Sequence, residues 1–141
     1  MRHNKYYSAA IALCVIAIFA MGWVPASSAA KPTPVSINAV FDPATYPDEV
    51  GNFTTSGALT ISGASFMHVD LNPFNGVRAH CVVTLTASNG TIIIDQQCQF
   101  ATSPPKGRWE IVSGTGAYAK LRGNGPLLMP DDEEAMTGVI Y

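Results

Sequence analysis

The dipeptide Asn89-Gly90 stands between two runs in which apolar and polar residues alternate. Asn-Gly is the strongest short signal for a two-residue hairpin turn, because both central residues of a type I′ turn take positive φ. That turn predicts Ser88 opposite Thr91, and the same register carries Cys81 directly opposite Cys98. Counting from a hydrogen-bonded Ser88/Thr91 pair, the cysteines fall on a non-hydrogen-bonded pair, where side chains lie closer and a disulfide can close. One hairpin face then holds Val77, Ala79, Cys81, Val83, Leu85, Ala87, Ile92, Ile94, Gln96, Cys98 and Phe100. The other holds Arg78, His80, Val82, Thr84, Thr86, Ser88, Thr91, Ile93, Asp95, Gln97 and Gln99. An antiparallel sheet with one wet face has this alternation, so the cysteine face is the core face. Gln96 is its polar exception, and a buried amide must be hydrogen-bonded. Either Gln96 is partly exposed near the mouth of a cavity, or it bonds the backbone of a neighbouring loop.

Beyond the hairpin, no segment after residue 30 shows a sustained helical period. Strands are predicted at Val35–Phe41, Ala58–Ser62, Ser65–Leu71, Val77–Ala87, Thr91–Phe100, Arg108–Ser113, Ala117–Arg122 and Met136–Tyr141. Asp42 to Asn52, with Pro43, Pro47 and Gly51, reads as a loop. Gly123-Asn124-Gly125-Pro126 reads as a break, and Asp131–Glu134 as a solvated acidic turn. Gly and Pro punctuate the chain at intervals of roughly 8–12 residues, the spacing of a β-sandwich or barrel. The fold class expected is all-β.

The N-terminus reads as a secretory signal. Arg2, His3 and Lys5 precede an apolar run from Ala9 to Trp23, and Ser28-Ala29-Ala30 offers a cleavage site after Ala30. The run is at the short end for a membrane span. Cys14 follows Leu13 rather than a small residue, which argues against a lipid anchor. Residues 1–30 are thus expected to form a helical signal peptide, and residues 31–141 one domain that is secreted or periplasmic. Export would remove Cys14 and leave Cys81 and Cys98 as an even, bridged pair. The whole chain carries net charge −2, and loses Arg2 and Lys5 with the signal. An acidic domain lacks the basic face that nucleic acids or anionic membranes require.

Few residues offer chemistry. Gly114-Thr115-Gly116-Ala117-Tyr118-Ala119 has the spacing of a dinucleotide-binding turn. No helix can follow through Gly123-Asn124-Gly125-Pro126, so it reads as a glycine-rich turn. His68, Asp70, Arg78 and His80 could converge if their strands are neighbours, but they lack a compact metal-ligand spacing and read as a polar sheet face. Asp131–Glu134 lacks the alternating ligands of a calcium loop. No serine sits in a nucleophile elbow, and Glu110 alternates outward from Trp109 and Ile111. Asn52-Phe53-Thr54 and Asn89-Gly90-Thr91 are formal glycosylation acceptors. No metal and no cofactor is expected.

The stretch Gly107-Arg108-Trp109-Glu110-Ile111-Val112-Ser113-Gly114-Thr115-Gly116-Ala117-Tyr118-Ala119-Lys120-Leu121-Arg122-Gly123-Asn124-Gly125 resembles a segment of small secreted bacterial proteins in the allene oxide cyclase-like barrel group. Dirigent proteins are similar at the Gly-Thr-Gly turn. The resemblance implies an eight-stranded antiparallel barrel, a calycin-like architecture, and the strand count above agrees. It carries no functional residue over. A barrel of this size either fills with side chains or holds one small ligand. Three functions follow as expectations: a binder of a small apolar ligand, a cyclase- or isomerase-like enzyme, and a cell-envelope interaction protein. For the first two, Gln96 and Tyr118 are the candidate ligand-binding residues, with a histidine as a further catalytic candidate.

Overall fold

The structure is a computed structural model that describes residues 30–74, 76–131 and 133–141. The expected signal peptide therefore lies outside the described residues, apart from Ala30. No helix among the described residues is long and apolar enough to cross a membrane.

Eight strands close an antiparallel barrel in up-and-down order: β1 (Thr33–Phe41), β2 (Asp48–Gly57), β3 (Ser62–Leu71), β4 (Arg78–Ala87), β5 (Gly90–Gln99), β6 (Lys106–Gly114), β7 (Gly123–Leu128) and β8 (Glu133–Ile140). Closure comes from β8 pairing with β1, from Thr33 opposite Ile140 to Val40 opposite Glu133. The expected fold class thus holds as an all-β, eight-stranded antiparallel barrel, but two expected strands were the wrong segments. Ala58–Ile61 is the connection between β2 and β3, and β2 occupies much of the expected Asp42–Asn52 loop. Ala117–Arg122 is not a strand: Gly116–Tyr118 forms a turn of 3₁₀-helix, and β7 runs through the expected break.

The hairpin exists, in a different register. Ala87 pairs with Gly90, so the turn residues are Ser88 and Asn89. Cys81 lies opposite Gln96, and Cys98 opposite Ala79. The expected disulfide is therefore not formed: the sulfurs are diagonal neighbours 3.6 Å apart, as two free thiols, whereas a bond needs about 2.05 Å. The shift has a local cause. Gly90 takes the positive φ, +145°, as the first residue of β5 rather than as a turn residue. A side chain there would also strike the Thr115 carbonyl oxygen, 2.2 Å from an ideal Cβ. The slide is two residues, an even number, so every side chain keeps its face. Ala79, Cys81, Val83, Leu85, Ile92, Ile94, Gln96 and Cys98 are all buried. Val77 and Phe100, at the hairpin's open end, are partly exposed instead.

Inside the barrel, Ile37, Phe53, Val83, Leu85, Ile92, Ile94, Trp109, Ile111, Leu127 and Met136 are nearly solvent-free and form the core. Trp109 is its largest member. Its indole N–H reaches past β7 to donate to the Thr137 carbonyl of β8 at 3.0 Å. Gly125 makes that reach possible: it lies opposite Trp109, and a Cβ on it would sit 1.9 Å from the same carbonyl oxygen.

Chain direction separates the two ends. One end carries the Ala58–Ile61 connection, the Ser88–Asn89 turn and the 3₁₀ segment. Leu59, Ile61, Tyr118 and Leu121 pack against the core there. The other end carries the β1–β2, β3–β4, β5–β6 and β7–β8 connections, and it is open.

Candidate functional site

A cavity of about 830 Å³ opens at that second end, within the usual range for small-molecule pockets. Its apolar wall comes from the ends of β1 and β3 and from the connections: Phe41, Met67, Val69, Leu71, Phe100 and Met129, with Pro104, Pro105 and Tyr46 at the rim. It reaches inward to Cys81 and Glu134. Below that level Val83, Ile94, Phe53 and Met136 fill the barrel.

Glu134 is the residue that the sequence reading missed. The acidic run was expected to be a solvated turn, yet Glu134 belongs to β8 and is only 5% exposed. It stands opposite Ala39 of β1 and is in phase with the buried Met136 and Ile140. That alternation, i, i+2 and i+6 on one strand face, is the signal that could have found it. Burial pushes its carboxyl group up to about 7, the Glu49 charge adds to the rise, and a hydrogen bond from Gln96 opposes both. Loss of hydration is the dominant cause, since a carboxylate inside protein has surrendered most of its water.

Gln96 is fully buried, so it is not a partly exposed residue at a cavity mouth. Nor does it bond a loop backbone. Its Nε2 donates to Glu134 Oε2 at 2.8 Å and lies 3.4 Å from Met136 Sδ. Gln96 and Glu134 thus satisfy one another across the core, from β5 to β8. Beside them lie the thiols of Cys81 and Cys98. Hydrogen bonding to Cys81 and burial raise the Cys98 thiol far above the ordinary cysteine range, with smaller contributions from the charges of Cys81 and Glu134.

Tyr118 is buried too, but in the 3₁₀ segment at the closed end. The structure therefore does not bring it together with Gln96. His68 and His80 face outward, as the polar-face reading expected. His68 Nδ1 is 2.6 Å from Asp48 Oδ1, and His80 Nε2 is 2.7 Å from Asp95 Oδ2. Asp70 stands opposite His80. These are two separate exposed pairs, and no group of three or more metal-ligating side chains occurs among the described residues. Glu110 is exposed on the outer face of β6. The dinucleotide-like turn is a β6–β7 connection whose Thr115 hydroxyl accepts from the Thr91 amide at 3.0 Å. No family model, no curated protein and no solved structure matches this chain.

Proposed function

We propose that this chain is a small secreted β-barrel that binds an apolar ligand in its open half. One observation carries the reading: the barrel is filled at one end and hollow at the other, with a cavity of about 830 Å³ walled mainly by apolar side chains. A packed interior normally leaves few voids larger than a water molecule. Hollow space of this size, opening through a rim of Tyr46, Phe100 and prolines, suits a ligand that brings its own apolar surface. The likeness to allene oxide cyclase-like barrels stays part of the proposal at the level of fold, supported by strand number and strand order and giving no chemistry. Export is proposed on the basic, apolar and small-residue succession of residues 2–30.

The test is binding of an environment-sensitive hydrophobic dye, with thermal unfolding as a second readout. Dye should bind saturably and raise the melting temperature by mass action. Val69→Trp, whose ring occupies part of the cavity from its wall, should weaken dye binding while the protein remains folded. Unchanged dye binding in that variant would move the ligand site elsewhere and overturn the reading.

A cyclase- or isomerase-like enzyme is the second reading, and Glu134 is the observation in its favour. A buried carboxyl group that holds its proton near neutral pH can serve as a general acid or base. Tyr118, His68 and His80, being elsewhere, contribute nothing to it. An envelope interaction protein has less support, because closure leaves no unpaired strand edge among the described residues to recruit a partner.

A further inference from the structure

We propose that the ligand of this cavity is a cationic amphiphile, an apolar body carrying a protonated amine, and that Glu134 is its counter-ion. This rests on the binding reading above and specifies the chemistry of its ligand.

The charged groups lining the cavity are Glu49, Asp131, Glu133 and Glu134; no lysine, arginine or histidine lines it among the described residues. They come from three places: Glu49 from β2, Asp131 from the β7–β8 connection, Glu133 and Glu134 from β8. Glu133 Oε1 accepts from Asn38 Nδ2 at 2.6 Å; both side chains lie on the outer face of the sheet, so this carboxylate points away from the cavity. Glu134 lies deeper, at the inner limit of the hollow. A fatty carboxylate entering here would bring a negative charge towards the three carboxyl groups of Glu49, Asp131 and Glu134 with no cation to receive it, an arrangement that disfavours binding. An uncharged alcohol would leave the Glu134 carboxylate desolvated, with the Gln96 amide as its polar neighbour. A protonated amine supplies what the buried charge lacks: an opposite charge and several N–H donors at close range. The aromatic side chains Phe41, Tyr46 and Phe100 around the opening suit a passing cation as well. The facing groups that can titrate are Glu49 on β2 and the thiols of Cys81 and Cys98 on β4 and β5. β1 and β3 present Phe41, Met67 and Val69 to the cavity, and Gln96 is neutral.

The experiment compares three ligands with the same twelve-carbon chain: dodecylamine, dodecanol and dodecanoate. Each displaces a hydrophobic dye from the full domain at pH 8, below its own micelle concentration. The amine should bind at least about ten-fold more tightly than the alcohol, the effect of one hydrogen-bonded charge pair, and dodecanoate should bind weakest. The amine's affinity should rise from pH 5.5 to pH 8 as Glu134 ionises, while the alcohol's should not rise. Glu134→Gln should bring amine and alcohol within about three-fold of each other. Equal affinity for all three ligands, tighter binding of dodecanoate, or an amine preference that survives Glu134→Gln overturns the inference while the binding reading stands. Failure of all three ligands and of the dye overturns the binding reading itself. The wild-type comparison needs no variant, so it decides even if Glu134→Gln folds poorly.

Discussion

Glu134 and Gln96 are the residues on which the chemistry of this barrel turns, and each has a consequence for stability. Glu134 holds its proton in the folded protein up to about pH 7, whereas an exposed glutamate releases it near pH 4.3. Below the unfolded value both states are protonated and the site costs nothing electrostatically. Between the two values the unfolded chain ionises while the folded one does not, so stability falls as pH rises. Above pH 7 both are ionised and the loss is complete. Urea unfolding from pH 4 to pH 8.5 should show this decline. Glu134→Gln should flatten it and raise stability at pH 8 by up to about 3 kcal/mol, the linkage value of a shift of this size. An unchanged slope in the variant would place the titrating group elsewhere. The thiols give a second prediction. Cys81 and Cys98 are buried, and Cys98 is held protonated by Cys81 and by burial. A thiolate-selective reagent should therefore label both cysteines slowly in the native protein and at once after unfolding. Fast native labelling at pH 8 would mean that the cavity floor opens to solvent.

At the scale of the element, the faces of the hairpin were legible in the sequence and its register was not. Side-chain alternation is a property of the strand itself, so a slide of two residues left Cys81, Gln96 and Cys98 where the alternation put them. Register depends on which residue takes the positive φ, and here Gly90 does so just beyond the turn, under the Thr115 carbonyl. That contact lies 25 residues away along the chain, out of reach of local turn chemistry. β2 and β7 were missed for a related reason. β2 buries only Phe53 and Thr55 fully, too little apolar signal to outweigh Gly51. In β7, Gly125 looks like a break but is where Trp109 crosses to β8. The count of eight came out right because two misplaced strands replaced two missed ones. Glu134 was hidden by its neighbours, since a run of acids suggests solvent whichever way each one points. The Trp109 crossing is testable. Gly125→Ala drives a methyl group into the Thr137 carbonyl and should cost about 2–3 kcal/mol. Trp109→Phe keeps most of the ring but leaves that carbonyl without the indole donor, at about 1–3 kcal/mol. The double variant should cost less than the two losses added together, because both act on one carbonyl. Simple additivity in chemical unfolding would show that the two residues act independently.

For the whole molecule, the division into a filled end and a hollow end sets where substitutions are tolerated. The closed half is held by side chains with almost no solvent contact, among them Leu85 and Ile92, beneath Tyr118 and Leu121. The open half has Val69 and Met67 against empty space. A closed barrel must satisfy both halves with one set of strands, so the hollow persists only if the filled half supplies most of the apolar burial. Adding bulk should therefore be cheap at one end and costly at the other. Val69→Trp places its ring in the cavity, gains contacts there, and should change stability by less than about 1 kcal/mol. Leu85→Trp has no space to enter and should cost about 3 kcal/mol through forced displacement of its neighbours. Leu85→Ala, which opens a void in the filled half, should cost about 2–5 kcal/mol. Unfolding all three variants in urea at pH 5, where Glu134 is mostly protonated, separates packing from charge. If Val69→Trp is as damaging as Leu85→Trp, the open half is packed as tightly as the closed one. No room would then remain for a ligand of the size proposed.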